Sequence, residues 1–335
     1  MQVTVLAGGY GGARFLSGLR AVLGEDQPAH QGAPATAPHD IAAVVNTADD
    51  IVLHGLNISP DLDTVMYTLG GGLDAARGWG RSDEAFRANE ELQAYGLPNT
   101  WFGLGDRDLA THLVRTQMLA AGFRLTDVTA ALGVRWEPGI RILPMSDDRV
   151  ETHVVINDDE GRRAIHFQEW WIRHHAEPLA EEFVQVGAET AAPTPEVLEA
   201  IAGADAVVLA PSNPVVSIGA ILAVPGMLDA LQATKAPVVG ISPIIGGRAL
   251  RGMAEQCLTA IEVPATAAGI ARHYGPRGSG GVIDGWLVAP QDSAAAVELS
   301  DSDIRIRAVP LLMTDPAAAA ALAAAALELA TECRR

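Results

Sequence analysis

Two groups of residues in the first fifth of the chain have the types and spacing of a phosphate-handling site. The stretch AGGYGGARFL follows a short apolar run and places glycine at four of the positions 8–12. Glycine lets a backbone approach a ligand closely, and carboxylate oxygens are preferred ligands of Mg²⁺. Four carboxylates follow in VVNTADD and SPDLDT, namely Asp49, Asp50, Asp61 and Asp63. We therefore predict an anion site beside an acidic, metal-binding cluster.

The glycine stretch departs from two familiar fingerprints. A dinucleotide-binding G-x-G-x-x-G counted from Gly9 would need glycine where Arg14 stands, and a P-loop would need Gly-Lys after its last glycine. Backbone N–H groups at a helix start can still bind a diphosphate. The candidates for that contact are Gly8, Gly9, Gly11 and Gly12. A tight strand-to-helix turn without a ligand is the alternative.

Ser59-Pro60 is typical of a helix start, with Ser as the cap and Pro in the first turn. Asp61 and Asp63 then lie in that turn, where each could instead stabilise the helix dipole by roughly 0.3–1 kcal/mol. Residues two apart on a helix do not share a face, so we expect only one of them to point into the site.

The elements that position these residues alternate between short apolar strands and helices. This pattern predicts a doubly wound α/β fold, with a mostly parallel, Rossmann-like sheet. The predicted strands are 2–7, 41–46, 205–210, 236–241 and 281–288, and the predicted helices are 13–23, 60–69, 82–95, 107–121, 195–203, 217–232 and 316–331. Polar turns after two later strands add candidate phosphate-binding residues at the same sheet edge, namely Ser212, Asn213, Ser217 and Ser242.

The middle of the chain has a different pattern. Residues 149–157 alternate between apolar and polar, a turn follows, and 164–173 continue as a second strand, which predicts a β-hairpin. We therefore divide the chain into a Rossmann-like nucleotide-binding core, an inserted α+β subdomain and a surface loop. The core comprises 1–121 and 191–335, the insertion 122–190 and the loop 25–39.

The aromatic and histidine residues of the middle segments have open roles. His166, Phe167, Trp170 and Trp171 suit a core or dimer patch equally with a wall for a flat ligand. The helix start at FGLGDRDLATH contains Asp106, Asp108 and His112. A lone His on such a helix is more often structural than a zinc ligand, so these three residues are given no role.

Composition excludes several classes of function. The net charge of −18 disfavours nucleic acid and anionic membranes as partners. The two cysteines, Cys257 and Cys333, show no metal-binding spacing, and no segment resembles a signal peptide or membrane span, so we expect a cytoplasmic protein. No nucleophile motif supports acyl transfer.

Taken together, the segments resemble the 2-phospho-L-lactate transferase (CofD/FbiA) family. The matching motifs run in order from residue 6 to about residue 250: AGGYGGARFL, VVNTADD, SPDLDTVMYTLGGG, LGDRDLATH, LPMSDD, HFQEWW, APSNPVVSIGAIL and SPIIGG. The resemblance implies a step in making the deazaflavin coenzyme F-420. A phospho-acid would pass from its guanosine diphosphate ester to the ribityl hydroxyl of the deazaflavin Fo, with Mg²⁺ required, GMP released and a homodimer as the active form. Heavy alanine usage suggests a GC-rich genome, and hence the actinobacterial members, whose donor is the enolpyruvyl compound rather than the lactyl one.

Carried over by motif, Asp50 and Asp63 are the catalytic acids. The resemblance implies that they hold Mg²⁺ and orient the Fo hydroxyl, with one of them acting as general base. The resemblance also implies that the guanosine diphosphate donor is held by Ser212, Asn213, Ser217 and Ser242. Archaeal members carry Thr hydroxyls in the glycine loop where this sequence has Tyr10 and Gly12, so backbone contacts to the diphosphate are expected here.

Two other functions compete with this interpretation. A regulator of the gluconeogenesis-factor type, which binds nucleotide sugars without turnover, has a similar glycine loop and acidic motif. SPDLDT, and the lack of glycine after the acids, favour the transferase. A nicotinamide dehydrogenase would need the missing third glycine and an acid about 20 residues after the loop.

Overall fold

The computed structural model describes residues 1–24, 40–250 and 253–334. Its strands, in chain order, are β1 (Gln2–Ala7), β2 (Asp40–Val45), β3 (Ile51–Leu53), β4 (Leu56–Ile58), β5 (Arg141–Pro144), β6 (Glu151–Asp158), β7 (Gly161–His166), β8 (Ala180–Val186), β9 (Ala206–Leu209), β10 (Val238–Ile241), β11 (Ile244–Ile245), β12 (Arg248–Ala249), β13 (Gly285–Val288) and β14 (Arg305–Ala308). Its helices are α1 (Gly9–Val22), α2 (Pro60–Leu69), α3 (Arg87–Ala94), α4 (Asp108–Ala120), α5 (Leu125–Trp136), α6 (Pro195–Ala202), α7 (Ile218–Leu222), α8 (Met227–Ala233), α9 (Ala254–Ala260), α10 (Ala267–Tyr274), α11 (Ala295–Glu298) and α12 (Pro316–Glu332).

Seven parallel strands form the central sheet, in the order β14-β13-β10-β9-β1-β2-β5. The chain runs outward from β1 to β5 on one side and outward from β9 to β14 on the other. The strand order therefore reverses between β1 and β9, and ligands of such sheets bind at the carboxyl ends beside that reversal. The predicted doubly wound fold is confirmed.

Helices cover both faces of this sheet, which is why its strands are buried on both sides. Val3, Val5 and Ala7 of β1 pack in one core with α1, α2 and α12, and Leu6 packs in the other with α6, α8 and α10. α1 and α12 approach closely at Gly18, where a Cβ would lie 2.3 Å from the backbone of Ala319.

The predicted hairpin is present as β6 and β7, and β8 completes a three-stranded antiparallel sheet. Its second strand ends at His166 rather than residue 173, because the chain then turns through a short π-helix (Glu169–Arg173) that buries Trp170. β5 lies within the range 122–190 but pairs with β2 in the central sheet. The division into a core and an inserted subdomain otherwise stays a prediction.

Several helix boundaries differ from the prediction. α1 begins at Gly9, inside the glycine stretch, rather than at residue 13. The helix predicted over 217–232 is two helices, α7 and α8, because Pro225 and Gly226, with φ of +91°, separate them. The predicted loop 25–39 lies outside the described residues. Within the described ranges, no helix combines the length and apolar character needed to cross a membrane.

Candidate active site

A cavity of about 1000 Å³ lies at the carboxyl ends of the central strands, where the strand order reverses. The glycine loop, the turn after β9 and the first turn of α2 form its polar wall. Residues of α4 and aromatic residues of the middle segments complete the lining. The topology thus brings together segments that are far apart in sequence.

The glycine loop and the turn after β9 are joined by paired hydrogen bonds. The Gly8 N–H donates to Ser212 Oγ over 3.0 Å, and the Ser212 hydroxyl donates to the Gly8 carbonyl oxygen over 2.7 Å. Gly8 admits no side chain, since a Cβ there would lie 2.6 Å from Ser217 Cβ. Gly9 and Gly11 also line the cavity, whereas Gly12 packs against Ala7 and Ser212 behind it.

The predicted donor-binding residues Ser212, Asn213, Ser217 and Ser242 all line the cavity. Their side chains also shape the turns that carry them. Asn213 Oδ1 accepts from the Val215 N–H over 2.9 Å, and the Ser242 hydroxyl donates to the Ile244 carbonyl oxygen over 2.9 Å.

Three of the four clustered acids, Asp49, Asp61 and Asp63, line the cavity. Both acids of α2 therefore face it, and the expectation that only one would do so is wrong. The reason is that α2 begins at the cavity wall, so opposite sides of its first turn reach the space. Asp61 lies toward the glycine loop and accepts from Asn46 Nδ2 over 3.0 Å, whereas Asp63 lies toward α4. The Asp50 carboxylate lies behind the lining and accepts from the Ser59 hydroxyl over 2.6 Å.

Burial makes this cluster costly to ionise. Burial raises the pKa of Asp49, Asp50 and Asp63 above the ordinary range, and it raises the pKa of Asp61 to about 6. Buried Oδ1 atoms of Asp49 and Asp50 have no hydrogen-bond partner within the described chain. A cation would relieve both conditions.

The cluster suits Mg²⁺ better than a metal ion that takes all of its ligands from protein side chains. Across the described ranges, no three His, Cys, Asp or Glu side chains form a ready ligand group. Mg²⁺ commonly takes only one or two protein carboxylates and completes its shell with phosphate oxygens and water. The partnerless carboxylate oxygens suit that role.

A polar network links α4 to the acidic cluster; its members Asp108 and His112 line the cavity, whereas Arg115 does not. Arg115 Nη1 donates to Asp63 Oδ2 over 3.0 Å, and its Nη2 contacts Asp63 Oδ1. His112 lies between two acids, with Nδ1 3.8 Å from Asp63 Oδ2 and Nε2 3.6 Å from Asp108 Oδ2. Tyr67 of α2 is hydrogen-bonded to Asp108. Burial opposes ionisation of Asp108, but the proximity of His112 and the hydrogen bond from the Tyr67 hydroxyl bring its pKa below the ordinary value.

The segment HFQEWW, at the end of β7 and in the turn that follows it, contacts the loop that carries Asp49 and Asp50. His166 Nε2 lies 3.1 Å from the Asp50 carbonyl oxygen, and Gln168 Nε2 donates to the Asp49 carbonyl oxygen over 3.5 Å. Phe167 and Trp171 line the cavity, and Trp170 is fully buried in the core. The side chains of this segment therefore line the cavity on one side and pack into the hydrophobic core on the other.

Sequence reasoning did not single out three residues of this site, namely Asn46, Tyr67 and Arg115. Asn46 stands within VVNTADD and could have been noticed there. Tyr67 and Arg115 have no local pattern, because their partners lie 41 and 52 residues away. Asp108 and His112, left without a role, belong to the same network, whereas Asp106 accepts from the Ala88 N–H outside it.

Residues 3–311 match the family model for 2-phospho-L-lactate transferase CofD. The chain belongs to the CofD family. A phosphoenolpyruvate transferase of Mycobacterium avium (strain 104) is 58% identical over 338 residues, covering 98% of this chain and 99% of the relative. A phosphoenolpyruvate transferase of Streptomyces griseus is 57% identical over 334 residues and covers both chains fully.

A solved structure shows the same fold at low sequence identity. The crystal structure of a UPF0052 family member from Bacillus halodurans superposes with a TM-score of 0.59 and 18% identity, covering 97% of this chain and 98% of that one. Membership of the CofD family identifies the chain as a transferase, as predicted.

Proposed function

We propose that this CofD-family transferase moves the enolpyruvyl phosphate group from its guanosine diphosphate ester to the ribityl hydroxyl of Fo and releases GMP, in F-420 biosynthesis. The main support is the acidic cluster facing the glycine loop across one cavity. The names of the relatives, phosphoenolpyruvate transferase, favour the enolpyruvyl donor over 2-phospho-L-lactate.

The reaction is a displacement at phosphorus. The acceptor hydroxyl oxygen forms a bond to the phosphorus that carries the enolpyruvyl group, and the bond from that phosphorus to the bridging oxygen breaks. GMP leaves with the bridging oxygen and its electron pair, and a carboxylate accepts the hydroxyl proton. Such reactions depend on positioning and charge stabilisation, which a fixed cluster of side chains can supply.

We assign the catalytic acid roles to Asp50 and Asp63. Asp63 lies on the cavity wall, and Asp50 lies in the loop immediately behind it, with a buried oxygen that lacks a partner in the described chain. Mg²⁺ bound by these carboxylates would offset negative charge on the diphosphate. In this proposal the two acids also orient the acceptor hydroxyl, and one of them takes its proton.

The donor diphosphate would lie against Gly8, Gly9 and Gly11, with the turns at Ser212–Ser217 and Ser242 beside it. Arg14, one turn further along α1, also lines this wall, with its guanidinium 5.7 Å from the centre of the Tyr10 ring. Among the described residues, no carboxylate lies within ion-pair distance of the Arg14 guanidinium, although its charge contributes to lowering the pKa of Asp315. The guanidinium would face the anionic donor. By contrast, Arg77 on the same wall is paired with Asp74 at 3.0 Å.

The flat deazaflavin would lie against the aromatic part of the wall. Phe167 and Trp171 stand near the acidic loop, and Trp79, Trp101 and Phe102 line the cavity from the segment between α2 and α4. Stacking on such rings suits a planar acceptor. This arrangement would bring the ribityl chain toward the carboxylates.

We propose a homodimer as the active form, as the resemblance implies. Apolar side chains of Leu113 and Phe123 are exposed by 51% and 53% on and after α4, which offers a surface for self-association. Light scattering coupled to size exclusion measures the mass directly, and a monomer at assay concentration would contradict this part.

One incubation tests the function. The protein is mixed with Fo, Mg²⁺ and either the enolpyruvyl or the lactyl guanosine diphosphate ester, and GMP release and the mass of the Fo product are measured. We expect GMP and a phosphoenolpyruvyl-Fo mass with the first donor, at a rate well above the second. No GMP with either donor would overturn the proposal, and binding of a nucleotide sugar would then favour the gluconeogenesis-factor type of regulator.

A further inference from the structure

We infer that Arg115 is a positioning residue for the transfer reaction, acting through Asp63 without touching the substrates. The inference rests on the proposed function, because it assigns a task to an acid of that site. It concerns a residue 52 positions away from Asp63 in sequence, on a different helix.

The contact has the geometry of a two-point clamp. Both terminal nitrogens of Arg115 meet both carboxylate oxygens of Asp63, one of them over 3.0 Å. The planar guanidinium therefore fixes the rotation of the carboxylate as well as its position, which a single hydrogen bond cannot do. The pair is also buried, with Arg115 1% and Asp63 4% exposed.

The placement of the pair separates it from an ordinary buried ion pair. Asp63 lines the cavity, whereas Arg115 lies behind it, so the clamp holds one residue of the wall from outside. Buried ion pairs are weak sources of stability, because desolvation offsets most of the attraction. A role in orienting a reactive carboxylate accounts for placing a costly charge here.

Neighbouring groups strengthen the clamp from the same side. Arg115 Nη1 also lies 3.4 Å from His112 Nδ1, and it reaches the Asn57 carbonyl oxygen over 3.4 Å. Asp108 faces the other nitrogen of His112, and Tyr67 contacts Asp108. α4 thus presents a connected set of polar groups that limits the movement of Asp63.

The chain offers a matched control in Arg277 and Asp284. This pair is also largely shielded from solvent, with side chains 13% and 6% exposed and Arg277 Nη2 2.8 Å from Asp284 Oδ2. Arg277 further donates to the carbonyl oxygens of Thr234 and Ala236, both over 2.8 Å. Neither residue lines the cavity, so Arg277→Lys perturbs a buried ion pair away from the proposed chemistry.

The test compares Arg115→Lys, Asp63→Asn, their double variant and Arg277→Lys. Lysine keeps the positive charge but loses the two-point geometry. We expect Arg115→Lys to lower kcat by about 10–100-fold, the usual effect of losing a residue that orients a metal-site ligand, and to change the donor KM by less than about threefold. In the Asp63→Asn background, Arg115→Lys should change kcat by less than about twofold, because its effect passes through Asp63. Arg277→Lys should lower the melting temperature and leave kcat unchanged.

A binding measurement supplies a readout that does not depend on turnover. Mn²⁺ is titrated into each protein and followed by electron paramagnetic resonance. Arg115→Lys should weaken Mn²⁺ binding by about tenfold and Arg277→Lys should not. Unchanged kcat and Mn²⁺ affinity in Arg115→Lys, or losses that multiply fully in the double variant, would overturn the positioning role. Absence of GMP release by the wild-type protein would instead reject the proposed function, and the Mn²⁺ comparison would still decide the positioning role.

Discussion

Ser212 and Gly8 exchange two hydrogen bonds across the point where the strand order of the sheet reverses. The Ser212 hydroxyl receives the Gly8 N–H and donates to the Gly8 carbonyl oxygen, over 3.0 and 2.7 Å. These residues are 204 positions apart, so one hydroxyl joins the glycine loop to the turn after β9. The cavity wall formed by the glycine loop and the turn after β9 is therefore a single unit rather than two independent loops.

The first prediction concerns this bridge. Ser212→Ala leaves the buried N–H and carbonyl of Gly8 without their partner, which should lower the free energy of unfolding by about 1–3 kcal/mol. Urea unfolding of both proteins measures the change. Ser300→Ala removes an exposed hydroxyl bonded to the Val297 carbonyl oxygen and should change stability by less than about 0.5 kcal/mol. Equal effects of the two substitutions would show that the Ser212 hydroxyl does not stabilise the contact between the glycine loop and the turn after β9.

The second prediction concerns the space beside the glycine loop. In Gly8→Ala, the new Cβ would lie 2.6 Å from Ser217 Cβ and 2.7 Å from Asp61 Oδ2, so the loop must move. We expect the donor KM to rise by at least about tenfold, as for a lost phosphate contact worth about 1.4 kcal/mol. Steady-state kinetics with varied donor measure it.

Gly133→Ala is the control for Gly8→Ala. Gly133 lies within α5, and a Cβ there would meet no atom within 4 Å. Alanine in a helix interior should stabilise the protein by about 0.5–1 kcal/mol and leave KM unchanged. A normal donor KM in Gly8→Ala would show that the loop tolerates the side chain and does not closely approach the donor.

The strands that form the core could be predicted because each is a short apolar run. β1, β2, β9, β10 and β13 all lie within or beside predicted ranges. β5 and β14 could not be predicted in this way, since RILP and RIRA contain charged residues or proline and lie toward the sheet edges. A strand at the edge of a sheet is less buried and tolerates polar residues, so its sequence pattern identifies it less clearly.

The residues lining the site were predictable where they follow strands. The topology places Gly8, Ser212 and Ser242 at one edge because parallel strands end together. Arg115 and Tyr67 were not predictable, because their contacts depend on how α4 packs against α2. That packing is a tertiary relationship between elements, and spacing within either helix does not encode it.

The third prediction tests the proposed catalytic acids. Asp50→Asn and Asp63→Asn keep the side-chain shape but remove the charge, and each should lower kcat by at least about 100-fold, as expected for losing a general base. Circular dichroism and thermal unfolding verify the fold. Asp301→Asn, at an exposed position, should leave kcat unchanged. Full turnover by Asp50→Asn would remove that residue from the mechanism.

The fourth prediction concerns the guanidinium of Arg14 on the cavity wall. Arg14→Gln should raise the donor KM by about 10–100-fold, because a charge-assisted contact to an anion contributes about 1.5–3 kcal/mol. The KM for Fo should change little, since the acceptor site lies toward the aromatic wall. Arg14→Lys should recover part of the affinity. A larger effect on the Fo KM than on the donor KM would show that Arg14 contacts Fo rather than the donor.

The last prediction is a pH dependence of stability that follows from Asp61. Burial raises the pKa of this carboxyl from 3.8 to about 6 in the folded protein. Between about pH 4 and pH 6 the folded state therefore binds more protons than the unfolded state, and stability falls as the pH rises through this window. At about 1.4 kcal/mol per unit of pKa, the ionised Asp61 costs about 3 kcal/mol at neutral pH.

Asp61→Asn removes this titration. Relative to the wild type, the variant should gain up to about 3 kcal/mol in unfolding free energy between about pH 4 and pH 7, measured by urea unfolding in a chelator without added metal. Asp108→Asn is the control of opposite sign. Despite burial, His112 and Tyr67 lower the pKa of Asp108 in the folded state, so removing that carboxyl should cost more stability as the pH rises. Parallel pH curves for the wild type and Asp61→Asn would mean that Asp61 ionises freely in the fold, and that the cavity is better hydrated than its packing indicates.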